Sequence, residues 1–166
     1  MPAGNTYTQI ASTTLGTAAS SVTFSSIPAT YTDLILVVSG IYASGGGSSV
    51  SIRFNSDTAT NYSVTWIYGG AGASPVSSKV SNVAKMDIGY MSGAAQGNTI
   101  ANIQNYSNST TNKTVISRGG VTSDLTIEYV GLWRNTAAIT SITTLIDSGV
   151  NYAAGCTFNL YGITAA

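Results

Sequence analysis

Apolar residues recur at every second position along much of the chain. Val50, Ile52 and Phe54 are separated by Ser51 and Arg53, and Tyr62, Val64 and Trp66 by Ser63 and Thr65. A period of two places one set of side chains on one face of an extended backbone, so these segments predict half-buried β-strands. The run Leu34-Ile35-Leu36-Val37-Val38 is apolar at every position, which predicts a central strand covered on both faces. Further segments rich in β-branched or aromatic residues lie at 6–11, 21–24, 85–90, 99–106, 113–118, 125–134, 139–145 and 156–163.

Turn formers separate these segments, among them Gly45-Gly46-Gly47, Gly69-Gly70-Ala71-Gly72, Gly119-Gly120 and Asp147-Ser148-Gly149. No stretch has the period of a capped amphipathic helix. The expectation is an all-β chain, an antiparallel β-sandwich of jelly-roll type with about ten short strands. No internal repeat or proline-rich linker divides it, so residues 16–166 read as a single jelly-roll-like domain. Residues 1–15 alternate only weakly and read as an N-terminal arm or a first edge strand. The glycine- and serine-rich segments 39–49 and 69–78 read as loops at an end of the sandwich.

Composition changes the picture of the surface. Only 7% of the 166 residues are charged, against roughly 25% in a typical soluble domain. The polar surface must come from Ser, Thr, Asn and Gly, whose hydroxyls and amides are covered by another protein at lower desolvation cost than ions. Six basic and six acidic residues cancel, leaving none of the positive footprint that nucleic acid requires. No apolar run reaches the roughly 18 residues of a membrane span, and no signal-peptide pattern opens the chain, so a soluble protein made in the cytoplasm of whichever cell expresses it is expected.

Chemistry is sparse. The absence of histidine removes the commonest general acid/base near neutral pH and the Ser-His-Asp and Cys-His arrangements with it. The acids Asp33, Asp57, Asp87, Asp124, Glu128 and Asp147 are scattered. Asp124 and Glu128 share a strand face about 13 Å apart by strand rise, outside the spacing of a glycosidase pair. Asn55-Ser56-Asp57 lacks the spaced acids of a calcium loop and reads as a turn. The lone Cys156 alternates with Phe158 and Leu160, as a buried core thiol would. Four Asn-X-Ser/Thr matches, at Asn61, Asn105, Asn108 and Asn112, read as polar strand and turn residues. No enzyme, cofactor or metal site is expected.

Ten tyrosines and two tryptophans remain. Trp66 and Trp133 lie beside apolar alternates and read as core. Tyr42, Tyr68 and Tyr152 sit near loop ends and, with Tyr7 and Ile10 of the N-terminal stretch, are the candidate interface contacts.

Four stretches carry a resemblance: residues 31–40 (YTDLILVVSG), Ile52-Arg53-Phe54-Asn55-Ser56-Asp57 followed by Asn61-Tyr62-Ser63, residues 132–142 (LWRNTAAITSI) and residues 155–163 (GCTFNLYGI). In order and spacing the chain resembles small β-rich structural proteins of tailed bacteriophages, particularly those of cyanobacterial hosts. The resemblance implies a jelly-roll-like domain, usually a homotrimer, on an outer particle surface. The absence of a stalk or coiled coil favours a free-standing capsid cement, or decoration, protein bound to the major capsid protein on the outside of the head. The alternative is the receptor-binding tip of a tail fibre or spike that recognises host surface glycans. A free-standing lectin is a third, weaker reading.

Overall fold

The period-two pattern becomes two antiparallel sheets packed face to face. The computed structural model describes residues 6–43, 45–70, 74–123 and 125–164. Twelve strands form among them: β1 (Tyr7–Thr14), β2 (Ser21–Phe24), β3 (Asp33–Gly40), β4 (Gly47–Phe54), β5 (Tyr62–Gly70), β6 (Val76–Val83), β7 (Met86–Ser92), β8 (Gly97–Gln104), β9 (Lys113–Val121), β10 (Leu125–Trp133), β11 (Ile142–Ile146) and β12 (Thr157–Ile163). The larger sheet has the order β1-β12-β3-β8-β9-β10-β5-β6, and the smaller β2-β11-β4-β7.

Setting aside the hairpins β5–β6 and β9–β10 leaves eight strands in the orders β1-β12-β3-β8 and β2-β11-β4-β7, and the chain crosses between the sheets at every step except β4 to β7. That is the jelly roll the alternation predicts. Both hairpins join the same sheet beyond β8, the second directly and the first outside it on β10. One sheet therefore grows to eight strands while its partner stays at four.

The core lies where four strands cover four or five. Leu34, Leu36 and Val38 of β3, Leu160 of β12 and Ile103 of β8 are fully buried, as are Val50, Ile52 and Phe54 of β4 and Ile142 of β11. The strand β3 is central, but its neighbours along the chain alternate: Ile35 and Val37 are only half-buried. The expected cover on both faces is thus corrected to one, because the smaller sheet packs on the inner face alone. Residues 7–14 form the edge strand β1, paired to β12 with a bulge at Ile10.

The strand that sequence reading missed is β6, whose start lies inside a segment read as a loop. Its sequence VSSKVSNV is serine-rich and exposed, and antiparallel pairing with β5 rather than burial holds it.

The sheets approach most closely under β7. A Cβ on Gly89 would collide with the Thr99 side chain of β8, and one on Gly131 of β10 with the Met86 thioether. Neither neighbour lies at a free surface, so Gly89→Ala is expected to cost about 1–3 kcal/mol through overpacking. Gly16, whose added Cβ would meet open space, is the control and should change stability by no more than about 0.5 kcal/mol. Urea midpoints of the two variants check this; equal midpoints would contradict the close approach.

Candidate functional site

Where β4 leaves the smaller sheet and β5 enters the larger, the chain makes a tight turn. Asn55 and Ser56 have φ of 51° and 57°, and Asp57 N–H donates to the Phe54 carbonyl at 2.8 Å, the type I′ pattern. The Asn55 side chain closes the turn against the segment before β11. Its Oδ1 accepts from the backbone N–H groups of Thr140 (2.8 Å) and Ser141 (3.1 Å), and its Nδ2 donates to the Ala138 carbonyl at 2.8 Å.

Asp57 then accepts from three donors, two in its own loop and one at the end of β10. Its carboxylate receives Ala59 N–H (2.8 Å), Asn61 Nδ2 (2.9 Å) and the indole Nε1 of Trp133 (2.8 Å), the last residue of β10. Burial acts to raise its pKa, but the hydrogen bonds from Asn61, Trp133, Ala59 and Asn135 outweigh it and hold the carboxyl below its ordinary range. Trp133 packs at 5.4 Å on Phe54 and stacks on Tyr62 at 6.3 Å and 16°. Next to it, Arg134 binds Ser63 Oγ, the Thr60 carbonyl (2.9 Å) and Asn82 Oδ1 (2.8 Å), reaching β5 and β6 together. Fully buried Lys113, opposite Trp133 in the ladder, donates to the carbonyls of Thr111 (2.7 Å) and Thr136 (3.0 Å). Both inserted hairpins are rooted in this cluster.

Their other ends overhang the smaller sheet. Between the overhang and β7, the edge strand of the smaller sheet, lies a cleft of about 580 Å³. Trp66 and Tyr68 of β5 and Ile127 and Tyr129 of β10 form one wall; Asp87, Tyr90 and Ser92 of β7 with Ser49 of β4 form the other. A bulge makes this second wall possible. Gly89 pairs with Val50 and Asp87 with Ser51, so Ile88 has no partner in the ladder. Residues 87 and 90 would otherwise point to opposite faces, and the inserted residue brings both to the cleft.

The cleft is fixed from behind. Ser51 Oγ donates to Asp87 Oδ1 at 2.6 Å, and Tyr129 donates to the Gly89 carbonyl at 3.3 Å. Burial raises the Asp87 carboxyl above its usual range, opposed by the Ser51 hydrogen bond and reinforced by the nearby Asp147 charge. Burial also pushes the Tyr129 hydroxyl far above the phenol range, so it stays protonated as a donor.

A second surface is the outer face of the larger sheet. Ile116 and Val130 lie directly opposite one another and are 47% and 55% exposed, flanked by exposed Ile67 and Ile100. Arg118 and Glu128 oppose each other in the same ladder.

Of the contacts expected from sequence, Tyr7 is 58% exposed on the edge strand, Ile10 is half-buried at its bulge, and Tyr68 lies at the cleft. Tyr42 and Tyr152 are corrected: both are buried. They pair in an isolated bridge, and Tyr152 also bridges Ala19 and packs edge-on against Phe158 at 4.8 Å, so their loops fold them into the core. Sequence reading missed Asp87, Tyr90, Ser49 and Ser92, and assigned Trp66 wholly to the core although it is half-buried and lines the cleft. The spacing of Trp66 and Tyr68, two apart on one strand face, is the signal that marks that wall. Of the acidic pair Asp124 and Glu128, Asp124 lies outside the described residues, as does part of the N-terminal stretch. Among the described residues no group of three or more His, Cys, Asp or Glu is placed to hold a metal.

The fold thus defines a jelly-roll sandwich with two inserted hairpins. No protein-family model matches the chain, and no curated protein matches it in sequence.

Removing the Asp57 acceptor orphans the indole N–H of fully buried Trp133. Asp57→Ala is therefore expected to lose about 1–3 kcal/mol. Because the folded carboxyl titrates below its unfolded value, its contribution is complete above the ordinary carboxylate pKa and lost as pH falls through the depressed one. Stability measured by urea unfolding across the acid range should fall less steeply in Asp57→Asn than in the parent; identical slopes would contradict the assignment.

Proposed function

We propose that this chain is a non-catalytic structural protein of a tailed-phage particle, a capsid cement protein that binds itself and the major capsid protein on the outside of the head. The observation that carries the reading is the outer face of the eight-stranded sheet. It exposes the cross-strand pair Ile116 and Val130, and in the next row Ile67 and Ile100 on either side of Glu128 and Arg118. Exposed apolar side chains on a sheet whose inner face already holds the core fit an assembly interface. The low overall charge supports the same reading, since Ser, Thr and Asn around that face are covered at small desolvation cost.

As a cement, the protein stabilises only the assembled shell, because its binding surface on the shell exists only there. A trimer touching several shell subunits adds multivalency, so losing one subunit means breaking several contacts. The tail-tip alternative is favoured by one specific observation, the aromatic cleft beside β7.

Copy number in purified particles separates the two. Quantitative mass spectrometry is expected to find the chain in numbers comparable with the capsomers, whereas a few trimers per particle would place it on the tail and sink the cement reading. The double variant Ile116→Asp, Val130→Asp tests the face itself. It should stay folded, since both side chains are about half exposed, and should lose binding to empty heads by about tenfold or more. Full loading of the variant would contradict this interface.

A further inference from the structure

We propose that the cleft between β7 and the overhanging strands β5 and β10 binds a neutral saccharide, its ring against the aromatic wall of Trp66, Tyr68 and Tyr90 and its hydroxyls on Asp87, Ser49 and Ser92. This goes beyond the structural role above and stands whichever part of the particle carries the protein.

Three observations support it. First, the volume of about 580 Å³ falls within the range of roughly 300–1,000 Å³ typical of small-ligand sites. Second, the walls combine the two chemistries a sugar presents. The C–H faces of a pyranose are apolar and pack on aromatic rings, while its equatorial hydroxyls need acceptors and donors at the rim. Here Trp66, Tyr68 and Tyr90 supply rings, the Asp87 carboxylate supplies acceptor oxygens, and the Ser49 and Ser92 hydroxyls supply either role. Third, the charge is one-sided. Among the described lining residues Asp87 is the only ionisable acid and no Lys or Arg is present. A phosphate, a nucleotide or a sialylated glycan would meet the Asp87 carboxylate with no cation in the lining, Lys85 acting on Asp87 only from outside it, so the complementary ligand is uncharged.

The cleft is also built rather than incidental. The bulge at Ile88 turns Asp87 and Tyr90 to the same side, Ser51 holds the carboxylate, and Tyr129 ties the overhang to the β7 backbone. The walls therefore come to the ligand already positioned, which lowers the entropic cost of binding.

Tryptophan fluorescence provides the readout, because Trp133 is fully buried at the hairpin roots and Trp66 alone faces the cleft. The full-length protein would be titrated with maltose, cellobiose, lactose, mannobiose and N,N′-diacetylchitobiose, with glucose 6-phosphate and 3′-sialyllactose as anionic controls. At least one neutral disaccharide is expected to give a saturable change with half-saturation below about 10 mM, and the anionic probes none. Tyr68→Ala, at a side chain 36% exposed, and Asp87→Asn should each raise the half-saturation by about tenfold with an unaltered parent-like fold by circular dichroism. Flat titrations with all five disaccharides overturn the proposal. So does a response that survives in both variants, or one that the anionic probes reproduce. If the cleft instead receives a second copy of the chain, the titrations stay flat and Tyr68→Ala changes the sedimentation coefficient, which overturns it as well.

Discussion

Four strands cannot cover eight. That inequality of width governs the molecule, because every strand added to the larger sheet beyond β8 brings inner side chains that the smaller sheet must bury or leave open. Under β7 the burial is tight enough that Gly89 and Gly131 have no room for a Cβ. Past β7 the cover ends: Ile127 and Tyr129 are still buried in the core, whereas Trp66 and Tyr68 keep open surface and wall a cleft. On the opposite face Ile116 and Val130 stay exposed among the described residues.

An overhang needs an anchor. The hairpins β5–β6 and β9–β10 are held at one end by the carboxylate of Asp57, which accepts from Trp133 at the end of β10, and by Arg134, which reaches β5 and β6. The stacked rings of Tyr62 and Trp133 and the buried ammonium of Lys113 complete the root. Cleft and anchor are therefore opposite ends of the same two strands, and the rigidity of one depends on the hydrogen bonds of the other.

Much of this was legible in the residues. Alternation at 50–54, the apolar run at 34–38 and segments rich in β-branched and aromatic residues located the strands of the eight-stranded jelly roll, and Cys156 with Phe158 and Leu160 lies buried as its spacing implied. The four familiar stretches pair two by two. Residues 31–40 and 155–163 meet as β3 and β12, while the turn at Asn55-Ser56-Asp57 meets residues 132–142 at the anchor. What stayed hidden depends on partners rather than on pattern. The strand β6 exists because β5 offers it a ladder, and its own sequence gives little alternation. Tyr42 and Tyr152 sit among loop residues, and their mutual bridge, with the bridge from Tyr152 to Ala19 and its packing on Phe158, draws them inward. The second wall of the cleft rests on one unpaired residue, Ile88, and Tyr90 continues the period-two pattern of Met86 and Ile88, so the sequence reads as an unbroken strand.

In the proposed assembly the outer face of the larger sheet would join the particle while the cleft stays open to solvent. Hydroxyl-radical footprinting of the protein, free and bound to phage heads, measures both at once. On the head, labelling of Ile116 and Val130 should fall to a small fraction of its free value while Trp66 and Tyr90 label as before. Equal labelling of Ile116 and Val130 in the two states would contradict the account.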